Sequence, residues 1–513
     1  MLSGIFGNKS DHPMADFKSA QALLEDLPTN DACKSLMELT ELVALLLEHA
    51  DFKLDHQFAV LNLFDKTAQP HVRKLVREYY TPLELSKFQE DRLWSALDNW
   101  SRQIATAYFK LFIDFCNAKK GSSVIKEQVP LLVARTVHAL KWQVKFVSAH
   151  YGEIDKTSWA NLLQLYKHAE QLKYLDTPVS LYPGMAGNTT VKHEVGHLLV
   201  WYDIGLSALS PLLMHVTERL VAQYRSTIDI RPQLAQHSRI SIDLNRPGEP
   251  TRINLDDTTH PYLRFIGMPE MQPRLDDLMK VLKKNIVPAD LNLGGSYSAE
   301  VVGEAVQYLL NYLAVHPVRR SARRVANVTM NVVNGFDKVV ERTGAWLGFD
   351  ETPLVPWVTD EISIGGFSTS LPVKGSEGIG IGSLLGIKPE GVPHWGAAVV
   401  RRLLRKNENQ MSVGAEILDN RVACVILNYH SVAGEAIENG QPALWLYSKQ
   451  NESSGEAQLL MKADTFSPSR SLKVMLNGKE YLLIPIGLQE RGLDYDLAKY
   501  RFVVQEAASE EEY

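Results

Sequence analysis

Apolar residues recur at a helical period from about residue 15 to 230. Leu36, Leu39, Val43 and Leu46 fall on one face, as do Leu93, Leu97, Trp100, Ile104 and Leu111. Asp31, Ser158 and Ser210-Pro211 are helix-start signals, and Thr81, Pro82 and Glu84 make a capping-box start with proline at the first helical position. No period-2 run interrupts this stretch, so it predicts a bundle of seven or eight helices. From about 235 the pattern is mixed. Arg239–Asp243 and Thr251–Leu255 read as short strands about an Arg-Pro-Gly-Glu-Pro turn, and residues 270–314 return to helix until Pro317 ends the run.

Beyond Pro317 the pattern turns to strand. Val328, Met330 and Val332 alternate with Thr329 and Asn331, and Asn334-Gly335 follows as a hairpin turn signal. Ala397–Leu404 and Met411–Leu418 flank the polar turn Lys406–Asn409, and short strands recur around residues 444–447, 459–461, 471–476 and 481–486. Many short strands between turns predict a small barrel and a second β unit. The fold class is therefore multidomain α + β. It divides into an all-α helical bundle over 1–230, a mixed connector over 231–316, a barrel over 317–420 and a β-rich extension with an acidic tail over 421–513.

Composition narrows the function classes. Hydrophobic residues are 45% and charged residues 22% of the 513, which excludes a disordered or low-complexity chain. With 54 basic and 60 acidic side chains the net charge is −6, so no global basic field draws the chain to nucleic acid, and no nucleic-acid partner is expected. Cys33, Cys116 and Cys424 are scattered and odd in number, which signals neither a disulfide framework nor a cysteine zinc site. The first residues lack the basic start and apolar core of a signal peptide, and Asp203 and Pro211 interrupt the most apolar window. The expectation is a cytoplasmic protein without a membrane span.

Three constellations bear on chemistry. His193-Glu-Val-Gly-His197 matches the H-E-x-x-H pattern, in which two imidazoles one turn apart bind zinc and Glu194 acts as base, with Glu218 or His215 as a third ligand. Val200 and Asp203 stand where the extended zincin pattern needs glycine and histidine. Two readings stay open: a zinc-dependent metallohydrolase site, or polar side chains on a packed helix with no metal. Gly378–Gly382 lacks the strand and helix context of a phosphate loop and reads as a loop or strand edge. The third constellation joins Arg319, Arg320, Arg323 and Arg324 to Glu361, Ser363, Gly365 and Gly366. Guanidinium groups suit bidentate phosphate contacts and stacking on bases, and a polar glycine turn can read a base edge by hydrogen bonds.

These last residues resemble the PilZ family of bacterial cyclic di-GMP receptors over about residues 317–420. Arg320-Ser-Ala-Arg-Arg324 matches the R-x-x-x-R arm, and Glu361-Ile-Ser363-Ile-Gly-Gly366 matches D/N-x-S-x-x-G, with Glu361 in the aspartate or asparagine place and Asp360 beside it. The resemblance implies a PilZ-like barrel that binds cyclic di-GMP as ligand, with no cofactor and no catalysis. Arg320 and Arg324, assisted by Arg319, would hold phosphates and guanines; Glu361 and Ser363 would face a guanine edge; Gly366 would permit close approach. Arg401 and Arg402 would add to the field on the barrel or form a charged strand face. Ligand binding at the arm would then reorient the helical front toward a protein partner. The rival readings are the zinc hydrolase and a structural protein with a non-binding PilZ-like barrel.

Overall fold

The computed structural model describes residues 12–48, 52–81, 85–183, 187–253, 260–314, 322–344, 354–429, 440–447, 455–476 and 478–505. They form two compact units, Met1–Pro317 and Val318–Tyr513.

The first unit is helical: α1 (Phe17–Ala22), α2 (Ala32–Glu48), α3 (Leu54–Tyr79), α4 (Lys87–Cys116), α5 (Val129–Ala149), α6 (Lys156–Gln171), α7 (Val191–Asp203), α8 (Pro211–Gln223), α9 (Met271–Leu282) and α10 (Ala299–Ala314). The strands β1 (Asp229–Arg231), β2 (Ser238–Asp243), β3 (Thr251–Arg252) and β4 (Leu263–Gly267) form an antiparallel sheet in the order β1-β4-β2-β3. One apolar core runs from Met14 to Leu313, so the mixed segment packs on the same core as the bundle. At its centre lies α5, most of whose 21 residues are buried and which packs against α4, α6, α7 and α8. No helix among the described residues is long and apolar enough to cross a membrane.

Local chemistry sets the helix starts. Ser210 caps α8 by accepting from the Leu213 amide, with Pro211 at the first position. The Asp155 carboxylate caps α6, so the helix starts ahead of the predicted Ser158. Of the capping box predicted at Thr81, Pro82 and Glu84, residues 82–84 lie outside those described. The box instead stands at Ser86 and Gln89, whose side chains each accept from the other's amide, while the Thr81 hydroxyl donates back to the Arg77 carbonyl.

The second unit holds two barrels. The first comprises β5 (Arg324–Val325), β6 (Thr329–Asn334), α11 (Phe336–Thr343), β7 (Val355–Ser363), β8 (Gly366–Pro372), β9 (Leu384–Pro389), β10 (Gly396–Arg405) and β11 (Gln410–Asp419). Its sheet order is β5-β7-β6-β9-β10-β11-β8, and pairing of β7 with β8 closes six of these strands into a ring. The second is a closed barrel of β12 (Val422–Tyr429), β13 (Gln441–Leu446), β14 (Glu456–Lys462), β15 (Leu472–Leu476), β16 (Lys479–Arg491) and β17 (Tyr495–Val504) in the order β12-β13-β14-β17-β16-β15.

Asn334-Gly335 is not a hairpin turn. Gly335, at φ +105°, opens α11, and the capping carboxylate comes from the second barrel. Asp494 accepts from the Phe336 amide at 2.6 Å and from the Leu384 amide at 3.0 Å. A nearby bidentate pair, Arg401 to Glu490 at 2.6 and 2.7 Å, with the Tyr495 hydroxyl also on Glu490, joins the same two barrels.

Candidate functional site

The arm that enters the first barrel lies along one edge of β7. Arg324 is in register with Ile362 and Val325 with Glu361, and β6 continues along that edge. Strand alternation separates the arginines. Ile362 is in register with the buried Phe367, so Arg324 belongs to the row opposite that of Arg323, and it is exposed. Arg323, Glu361 and Ser363 belong to the outer face, where Arg323 Nη1 and Glu361 Oε2 form an ion pair of 3.0 Å. Val325, on the same face, is 84% exposed, and Ile364 at the β7–β8 turn is 92% exposed.

The remaining expected site residues fall as follows. Ser363 donates its hydroxyl to the Gly366 carbonyl at 3.2 Å, closing the turn. Gly366 is needed by the barrel itself, because a Cβ there would lie 2.3 Å from the Ala415 carbonyl oxygen of β11. Asp360 sits at a bulge of β7 and accepts from Ser370 at 2.7 Å. Arg319 and Arg320 lie outside the described residues. The R-x-x-x-R match at Arg320 and Arg324 does not give Arg323 a role; its place beside Glu361 comes from the register of the fold.

The structure gives the His193–His197 helix a different chemistry from the zinc reading. Glu194 is buried and takes hydrogen bonds from Lys141 (3.0 Å), His138 (3.1 Å) and Thr189 (2.8 Å). His197 accepts from Lys141 at Nδ1 (3.1 Å) and faces the Glu218 carboxylate at Nε2 (3.0 Å), so both ring nitrogens are engaged. Glu218 pairs with Lys145 at 2.8 Å, and Lys145 donates to His215, whose other nitrogen donates to the Leu293 carbonyl. His193 is half-buried, and its amide donates to the capping hydroxyl of Thr190. Among the described residues no group of three or more His, Cys, Asp or Glu is placed to hold a metal ion.

The electrostatics agree with a closed network of fixed charges. Burial drives His197 down to about 4, with the Lys141 charge adding to it, and also lowers His138 and His215. Burial works to raise Glu194 and Glu218, but their lysines and histidines outweigh it and hold both well below the usual carboxylate range. Lys145 is brought down to about 8 by burial, which still leaves it charged at neutral pH. Two lysines and two glutamates thus balance around three neutral imidazoles. Sequence reasoning missed the lysines. Their signal is the spacing of Arg135, His138, Lys141 and Lys145 along one face of an otherwise apolar helix.

Residues 18–233, which span this network, match the family model described as the N-terminal domain of the cyclic-di-GMP receptor FimW. No curated protein and no solved structure matches the chain.

Proposed function

We propose that this protein is a cyclic di-GMP receptor that acts as a switch rather than a catalyst. The observation that carries the reading is the match of residues 18–233 to the N-terminal domain of a cyclic-di-GMP receptor. The pairing of Arg324 and Val325 with β7 supports it from the other end of the chain; the phosphate and guanine contacts we assign are Arg319, Arg320 and Arg324, with Glu361, Ser363 and Gly366 at the rim. The Arg323–Glu361 pair is half-exposed, and a pair of that kind contributes only about 0–1 kcal/mol. A ligand phosphate can therefore replace Glu361 on Arg323 at little cost.

The helical unit supplies the output. Ligand at the arm changes what that unit offers to a protein partner, by as much as the ligand's affinity differs between the two arrangements. Calorimetric titration of the full chain with cyclic di-GMP, beside the Arg320→Ala/Arg324→Ala double variant, tests the binding step. Saturable binding that the variant loses supports the receptor; no binding by folded wild type removes it. Small-angle scattering with and without ligand tests the switch, which an unchanged profile at saturation would exclude.

A further inference from the structure

The outer face of the first barrel carries a second arginine on the far side from the arm. Register runs straight across four strands there. Glu361 of β7 is opposite Ser368 of β8, Ser368 is opposite Gly414 of β11, and Gly414 is opposite Arg402 of β10. All four side-chain positions share the outer face, because Phe367, Thr369, Val413 and Leu403 of the alternate positions are buried inside. At about 4.8 Å per strand the row spans roughly 14 Å. Its two central positions are a serine and a glycine, so the floor is low, while Arg323 with Glu361 stands at one end and Arg402 at the other.

Two details single out Arg402. The β10–β11 pairing shifts register between Val400 and Arg402, so that Arg401 and Arg402 both reach the outer side. Arg401 is held by Glu416 and Glu490, whereas Arg402 is exposed and has no hydrogen-bond or ion-pair partner among the described residues. The root of its side chain lies beside the glycine: a Cβ on Gly414 would lie 3.3 Å from Arg402 Cβ and 4.0 Å from its Cγ. A side chain at 414 would press on Arg402, and glycine spares it that contact. The shelf between the two arginines is therefore both open and cationic at its far edge.

We propose that Arg402 is the opposite clamp of the same ligand site, binding a phosphodiester oxygen of a ligand that lies over Ser368 and Gly414. The inference rests on the receptor reading above and extends it from the arm across the face of the barrel. A charge-assisted guanidinium contact of this kind corresponds to about a tenfold change in affinity.

The test is titration of the full-length protein with cyclic di-GMP, comparing wild type with Arg402→Ala, Arg402→Lys and Lys388→Ala. Lys388 lies on β9, away from the row, and its removal changes net charge by the same amount. The expected result is about tenfold weaker binding for R402A, partial recovery for R402K and unchanged affinity for K388A, with the R402A deficit narrowing as salt rises. Wild-type affinity in R402A, or an equal loss in K388A, overturns the clamp while leaving the receptor standing. Absence of binding by wild type overturns both.

Discussion

Lys145 on α5 and Glu218 on α8 form an ion pair of 2.8 Å with both side chains at most 3% exposed. Two charges so placed have given up their water, and their mutual attraction with the flanking hydrogen bonds must offset that loss. Lys145 also lies 5.2 Å from the Tyr80 ring centroid and 5.1 Å from that of Trp142, so aromatic faces supply part of the compensation. Such a pair ties α5 to α8, and the contacts of Lys145 with His215 and of Glu218 with His197 fix each charge further in place.

The first prediction follows from that pairing. Glu218→Ala leaves the Lys145 ammonium desolvated and unpaired, and the expected cost is about 3–5 kcal/mol in unfolding free energy. Lys145→Met/Glu218→Leu removes both charges and restores apolar packing, so the double variant is more stable than Glu218→Ala alone. Denaturant unfolding of the three proteins checks this. A double variant less stable than the single one would show that the pair is not the dominant interaction.

Acid stability gives the second. An unfolded chain binds protons on His138, His197 and His215 near pH 6.5, whereas the folded chain holds all three below that value, His197 at about 4. The unfolded state therefore carries the extra protons between those limits, and stability falls as pH drops from about 6.5 toward 4. His197 alone contributes roughly 3 kcal/mol to that fall. Below about 4.5 the depressed carboxylates of Glu194 and Glu218 add a loss of the same sign. Melting followed by far-ultraviolet circular dichroism from pH 7.5 to 4 should show the helical transition moving steadily downward. A flat midpoint above pH 5 would contradict the neutral imidazoles.

How far these features could be read from sequence depends on the range of the interaction behind them. Leu93, Leu97, Trp100 and Ile104 announce their helix because its apolar stripe is set by local period, and Ser210-Pro211 announces a start because the cap lies within three residues. The Lys406–Asn409 turn is local too. Asn334-Gly335 reads as a turn in the string because the residue that makes it a helix start, Asp494, lies 158 positions beyond Phe336. His193, Glu194 and His197 fit a metal motif as a string, and only packing against Lys141 shows that lone pairs of Glu194 and His197 are already occupied. Arg402 is one charge among several until register sets it across a glycine from the rim.

Gly366 separates the roles of fold and ligand at the rim. Because the added methyl of Gly366→Ala would meet the Ala415 carbonyl oxygen at 2.3 Å, the β8–β11 pairing must part locally. The expected penalty is about 1–3 kcal/mol to the barrel transition in the absence of any ligand. Calorimetric melting of ligand-free protein checks it. An unaltered midpoint would mean that the glycine is there for ligand approach alone.

The last prediction concerns the cap that one barrel lends the other. Asp494 satisfies two amides, one opening α11 and one opening β9, and the neighbouring Leu493 amide donates to the Gly382 carbonyl. Gly335 has no side chain to serve as substitute, so Asp494→Ala leaves both amides without their acceptor. Loss of a capping carboxylate together with a second amide bond corresponds to about 2 kcal/mol. Because α11 packs on β9 of the first barrel and on β12 and β13 of the second, the loss is shared by both barrels. Calorimetry of the Asp494→Ala variant should show a single barrel transition at lower temperature, with the helical transition where it was. Two separated barrel transitions, with only one displaced, would show that the barrels unfold independently and that the carboxylate does not couple them.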